Sequence, residues 1–104
     1  MAETVLKFKR DANSAYSRVL SALETSRFKL TRKDQAIRRI QVTTGVGLLS
    51  WGVAIEIVIQ PEENDGSVVF VRTEPRFMWN LTSHLYTQNY LDSVVELIRE
   101  VLTD

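Results

Sequence analysis

Cysteine is absent from this 104-residue sequence, and histidine occurs only once. The absence of cysteine excludes disulfides, thiolate metal sites and cysteine nucleophiles. A metal site would therefore have to be built mostly from carboxylates around His84. No apolar run approaches the roughly 18 residues of a membrane span, and the chain becomes charged too soon after Met1 for a signal peptide. We expect a cytoplasmic protein without a membrane span.

Net charge is also absent, because 13 Lys and Arg balance 13 Asp and Glu. No overall positive field then concentrates nucleic acid or anionic lipid around the molecule. The charges are unevenly distributed along the chain, however, since residues 1–40 carry a net +6 and residues 41–104 carry a net −6. This asymmetry predicts a local basic surface rather than a basic molecule.

Motifs that carry catalytic chemistry are missing as well. Three of the four glycines fall between residues 45 and 52, but no Lys-Ser/Thr pair follows them as in a phosphate loop. Neither Ser83 nor Asp92 has the spacing of a triad partner for His84. The acidic run at 62–65 lacks the alternating ligands of a calcium loop. We therefore expect no enzyme activity, no cofactor and no metal site.

Hydrophobic periodicity predicts seven elements in the order β-α-β-β-β-β-α. Five runs are typical of strands: side chains alternate at residues 4–9, 28–31 and 39–43, residues 53–60 are strongly β-branched, and residues 67–74 are rich in Val and Phe. Helical spacing follows Asp11, a potential N-cap, and returns from Asn80 onwards. We expect residues 45–52 to be a connection, Pro61 to end the fourth strand, and residues 62–66 to form a turn with left-handed backbone.

These elements predict a single α+β domain over residues 1–104. Both helices need an apolar surface, and one sheet face can supply it. Consecutive hairpins, with the first strand beside the fifth, give one antiparallel sheet in the order 1-5-4-3-2. The side chains expected between sheet and helices are Leu6, Phe8, Phe28, Leu30, Ile40, Val42, Val53, Ile55, Ile57, Ile59, Val69 and Val71.

Two short segments carry a resemblance to known proteins. Ser50-Trp51-Gly52 leads into an isoleucine-rich strand, and Thr73-Glu74-Pro75 ends the next strand. With the β-α-β4-α layout they resemble small uncharacterised bacterial domains, and the layout is similar to one half of the TATA-box-binding protein. The DNA binding of that protein depends on two halves with intercalating phenylalanines, whereas this chain is one half long and has no matching phenylalanine pairs. The resemblance therefore implies a fold and not a function.

The sheet face away from the helices has a distinctive predicted composition. Basic side chains are expected towards its edges, with aliphatic and aromatic ones between them: Lys7, Lys9, Lys29, Lys33 and Arg39 flank Val58, Val68 and Phe70. Lysines on edge strands commonly prevent aggregation. The same face also suits a partner protein, a second copy of the chain, or a nucleic acid.

Two apolar segments, 48–51 and 76–79, are predicted to meet at one end of the sheet. Apolar area of this kind either folds back as a lid on the core or forms a contact site. The residues of that contact site would be Trp51, Phe77 and Trp79, with Arg72 and Arg76 as its polar edge.

Three classes of function are open at this point. The preferred one is a noncatalytic binding or assembly module that contacts a protein partner, or a second copy of itself, through the open sheet face. The second is a small-ligand site between the sheet and the long helix, with His84, Tyr86 and Tyr90 as polar groups. The third is a nucleic-acid binder in which bases stack on Phe70, and the zero net charge argues against it.

Overall fold

Five strands and two helices follow one another in the predicted order. The computed structural model describes residues 2–47, 50–75 and 81–103, and the side chains of residues 3–43, 53–73 and 90–103. The elements are β1 (Ala2–Phe8), α1 (Ala12–Glu24), β2 (Lys29–Asp34), β3 (Arg39–Gly47), β4 (Ser50–Glu62), β5 (Gly66–Pro75) and α2 (Leu81–Leu102).

The strands form one antiparallel sheet in the order β1-β5-β4-β3-β2, which confirms the predicted fold class and strand order. Successive side chains of a strand point to opposite faces. The inner face packs against the helices, and the outer face is the opposite one. Leu6, for example, lies opposite Val69 on the inner face, and its neighbour Val5 lies opposite Phe70 on the outer face.

The core lies between the inner sheet face and both helices. Buried residues of α1, such as Val19 and Leu23, and of α2, such as Val94 and Ile98, form one cluster with the inner-face residues. All twelve predicted sheet-side core residues belong to this cluster or pack against it, with Phe8 and Leu30 partly buried. Within the residues that the structure describes, neither helix combines the length and the hydropathy of a membrane span.

Local signals fix the start of α1 and the β4–β5 turn as predicted. Asp11 caps α1, because its carboxylate accepts a hydrogen bond of 3.1 Å from the backbone N–H of Ser14. Asn64 and Asp65 adopt left-handed φ angles of 63° and 59°. Asn and Asp tolerate this conformation better than most residues, so the predicted turn is confirmed at residues 63–65, whereas Glu62 and Gly66 belong to β4 and β5.

The prediction of a connection over residues 45–52 is wrong for most of that stretch. β3 continues to Gly47 and β4 begins at Ser50, with Val46 opposite Trp51. The pairing persists because ladder hydrogen bonds join backbone groups, which glycine provides as well as any other residue. Glycine content therefore did not mark the end of the strand.

The prediction that Pro61 ends β4 is also wrong, since β4 runs to Glu62 and Pro61 lies opposite Ser67 of β5. The N–H of Ile59 donates to the Arg38 carbonyl on the β3 side. Pro61 lies two residues further along β4, so its nitrogen faces the same side. At that point β4 has passed Arg39, where β3 begins, and no β3 residue lies opposite the nitrogen. Proline is tolerated there because the donor that it lacks has no ladder partner.

Candidate functional site

The outer sheet face is the candidate site, because both helices pack on the inner face and no described element covers the outer one. Its centre is an apolar row in which Val5 of β1 lies opposite Phe70 of β5, and Phe70 lies opposite Val58 of β4. Val5 is 54% exposed and Phe70 is 39% exposed, whereas Val58 is half-buried. Three neighbouring strands thus present adjoining apolar side chains to solvent.

A charged row runs across the sheet beside the apolar row. Cross-strand register places its members side by side from one sheet edge to the other, in the order Glu3, Arg72, Glu56, Gln41 and Arg32. Acidic and basic side chains alternate over the first three positions. A shallow depression of about 210 Å³ lies between the two rows and is lined in part by Val5, Phe70 and Arg72.

Glu56 is the centre of the polar interactions in the charged row. Its carboxylate accepts hydrogen bonds from Arg39 Nη2 at 2.6 Å and from Gln41 Nε2 at 3.2 Å. Burial raises the pKa of Glu56, but the hydrogen bonds from Arg39 and Gln41 and the positive charges of Arg39 and Arg72 outweigh it. The net pKa is therefore below the ordinary value of 4.5, and Glu56 is ionised at neutral pH.

The predicted basic rim is only partly present. Lys7, Lys29 and Arg39 lie on the outer face, opposite Val68, Thr43 and Val58. Lys7 forms an exposed ion pair with Glu62 at 3.4 Å, and Arg39 contacts Glu56, so acidic residues accompany two of the three.

The prediction that Lys9 and Lys33 belong to this rim is wrong. Lys9 follows β1, which ends at Phe8. A β-bulge between Leu30 and Arg32 shifts the register, so Lys33 lies opposite the core residue Ile40. A bulge adds one residue to one strand and moves every later side chain to the other face. Alternation in the sequence does not show the bulge. Because of the bulge, Arg32 rather than Lys33 lies on the outer face, opposite Gln41.

The predicted aromatic contact site is only partly within the described structure. Arg72 is exposed on β5, in the charged row. Trp51 lies on β4 opposite Val46, and its side chain is outside the described residues. Arg76, Phe77 and Trp79 also lie outside them. Both the lid and the contact site therefore stay predictions.

The described part of the chain offers little support for a metal site or a ligand site. It contains no group of three or more His, Cys, Asp or Glu residues able to hold a metal ion. The space between the sheet and the C-terminal half of α2 is filled by Leu91, Val94 and Ile98. Of the three polar residues predicted for a ligand site there, Tyr90 is half-buried against the core. The side chains of His84 and Tyr86 lie outside the described residues.

Comparison with protein-family models finds no matching family, and comparison with curated proteins finds no matching relative. Solved structures do share the fold. The crystal structure of Ara h 8.0201 is 12% identical, with a TM-score of 0.63 over 99% of this chain and 97% of that one. A protein from Nitrosospira multiformis, a structural genomics target, is 11% identical, with a TM-score of 0.65 over 99% of this chain and 96% of that one. At this identity the likeness shows the fold alone, and the resemblance to half of the TATA-box-binding protein stays a prediction.

Proposed function

We propose that this protein is a noncatalytic assembly module that associates with a second copy of itself through the outer sheet face. The observation that carries the proposal is the apolar row. Val5 and Phe70 are exposed side by side on a face that no described element covers. Full burial of a Val or Phe side chain contributes about 1.5–3 kcal/mol, so covering this row stabilises a complex.

The charges around the apolar row favour a second copy as the partner. Glu3, Arg72 and Glu56 alternate in sign along the charged row. A two-fold axis brings the same surface of two molecules together, so a surface that pairs with itself must carry both signs. A polyanion such as nucleic acid requires a surface of one sign instead. The ion pairs Lys7–Glu62 and Arg39–Glu56 further reduce the positive charge that this face could offer to a polyanion.

The proposal is tested by measuring the molar mass of the full chain by light scattering over a range of concentrations. We expect the mass to rise towards that of a dimer at high micromolar concentration. Phe70→Glu places a charge in the apolar row and is expected to weaken association at least about tenfold, as at an interface hot spot. Its melting temperature should change little, because Phe70 is exposed in the monomer.

The matched control is Ile37→Glu. Ile37 is 53% exposed, similar to the apolar row, but it lies in the turn between β2 and β3. This variant should associate like the wild-type protein. A strictly monomeric wild type at high micromolar concentration, or equal effects of both substitutions, overturns the proposal.

A small-ligand site between the sheet and α2 is the second candidate. Tyr90, half-buried against the core, is the described polar residue of that site. Leu91, Val94 and Ile98 occupy the C-terminal half of this space, so a ligand would have to bind nearer the start of α2. A ligand bound only to the native state raises the melting temperature. We expect a thermal-shift screen of apolar compounds to give no such rise, and a dose-dependent rise would favour this second candidate.

A further inference from the structure

The two edges of the sheet differ in their protection against pairing with another strand. β2 forms one edge, contains the bulge near Leu30, and carries Lys29, Arg32 and Lys33 within six residues. Bulges and clustered positive charges are devices that block edge-to-edge pairing. β1 forms the other edge and pairs regularly with β5 over all seven residues, without a bulge. Only one of its residues, Lys7, is basic.

We propose that β1 pairs antiparallel with β1 of a second copy, with Val5 facing Val5 across the two-fold axis. This inference goes beyond the face contact: it is a second contact between copies, at the sheet edge, and it leaves the outer face open for the first. A strand at a sheet edge leaves alternate backbone N–H and C=O groups without a ladder partner, and an antiparallel neighbour can satisfy them. Val5 is the midpoint of β1, Ala2–Phe8, so this register pairs the whole strand with itself.

Charge complementarity selects the same register. With Val5 opposite Val5 of the second copy, Glu3 lies opposite Lys7 and Lys7 opposite Glu3, both on the outer face. Opposite charges in directly facing positions stabilise an antiparallel pair. A two-fold axis normal to the sheet must pass midway between two facing copies of the same residue, because facing side chains lie on the same face. An axis between two copies of Thr4 or of Leu6 instead places Val5 opposite a charged residue.

Edge pairing also extends the apolar row. In each copy the row ends at Val5 on the sheet edge, with Phe70 and Val58 behind it. Joining the two edges gives one continuous row of six apolar side chains across a ten-stranded sheet. Val5 is then flanked by its copy, whereas Phe70 and Val58 stay open to the face contact.

The intramolecular ion pair of Lys7 is compatible with this arrangement. Lys7 Nζ lies 3.4 Å from Glu62 Oε1, and both side chains are exposed. An exposed pair of this kind contributes little to stability and leaves the ammonium group accessible. Lys7 then lies between Glu62 of its own chain and Glu3 of the second copy.

The experiment exchanges the charges of β1 in the full chain, without an N-terminal tag, at low ionic strength. Glu3→Lys and Lys7→Glu each turn two attractive contacts per dimer into two repulsive ones. We expect each single variant to associate about tenfold more weakly than the wild type. The double variant Glu3→Lys/Lys7→Glu should associate like the wild type.

An equimolar mixture of the two single variants provides the sharpest test. One chain then presents two lysines and the other two glutamates, so the mixed dimer forms although neither variant dimerises well alone. The loss of the Lys7–Glu62 ion pair, or of the opposite charge facing Arg72, cannot produce this rescue, because the mixture retains the same losses. Lys33→Glu reverses an exposed charge on the other edge strand, away from the outer face, and is expected to leave association unchanged.

The outcomes separate this inference from the proposed function. If Phe70→Glu weakens a wild-type dimer while the β1 reversals and their mixture have no effect, the copies meet face to face and edge pairing is wrong. If the wild type is monomeric, both proposals fail. Rescue in the mixture supports the edge register, because contact between two outer faces does not require Glu3 to meet Lys7.

Discussion

At the scale of single residues, Glu56 is the best-defined interaction on the outer face. Its pKa is lowered because the hydrogen bonds from Arg39 and Gln41 outweigh the effect of burial. The ionised carboxylate is therefore favoured in the folded state. Its stabilising contribution is present above the unfolded-state pKa and is lost as the pH falls through the lower folded-state pKa.

Glu56→Gln tests this linkage. The side chains of Glu56 and Arg39 are each 33% exposed, so solvent screens their pair, and we expect a loss of about 1 kcal/mol in the free energy of unfolding at pH 7. The difference from the wild type should begin to shrink as the pH falls below 4.5 and should be lost below the lower folded-state pKa, where the wild-type carboxylate is neutral as well. Denaturant unfolding of both proteins between pH 7 and pH 3 measures this difference in the free energy of unfolding.

Glu63→Gln is the control for that series. Glu63 is exposed in the turn between β4 and β5 and lies away from the charged row. This variant should match the wild type at every pH. A constant difference between Glu56→Gln and the wild type down to pH 3 would show that packing, rather than charge, is responsible.

At the scale of elements, alternation in the sequence predicted the faces of the strands better than their ends. The pattern around Ile55 and Ile57 placed Val58 on the outer face, and the structure confirms it. The ends were less accurate because Gly47 and Pro61 were interpreted as breakers. Both are tolerated where they occur, since glycine supplies ladder groups and Pro61 has no β3 neighbour on its nitrogen side.

The candidate site was only half predictable for a related reason. Alternation assigns a side chain to a face, but only cross-strand register shows which side chains are neighbours. Val58 and Phe70 were expected on the same face, whereas the alignment of Val5 beside Phe70 follows from the pairing of β1 with β5. The contact between Arg39 and Glu56 joins residues 17 positions apart and depends on the register in the same way.

At the scale of the whole molecule, the fold mixes the two oppositely charged parts of the chain. Residues 1–40 supply β1 and the start of β3, which pair with β5 and β4 from the acidic part. The ion pairs Lys7–Glu62 and Arg39–Glu56 join the two parts directly. A charge separation that predicted a basic surface is therefore partly neutralised across neighbouring strands, which favours contact with a surface of mixed charge.

Assembly through β1 predicts a concentration dependence of backbone hydrogen exchange that differs between the two sheet edges. In the monomer, alternate amides of β1 and of β2 lack a ladder partner and exchange readily. Dimerisation through β1 supplies partners only at that edge. We therefore expect exchange over Ala2–Phe8 to slow as the protein concentration rises, whereas exchange over Lys29–Asp34 stays constant. Lys7→Glu should remove the change at β1 under the same conditions. Slowing at β2, or a response of β1 that survives Lys7→Glu, contradicts the pairing, because the bulged edge would then be the contact or the Glu3–Lys7 register would be wrong.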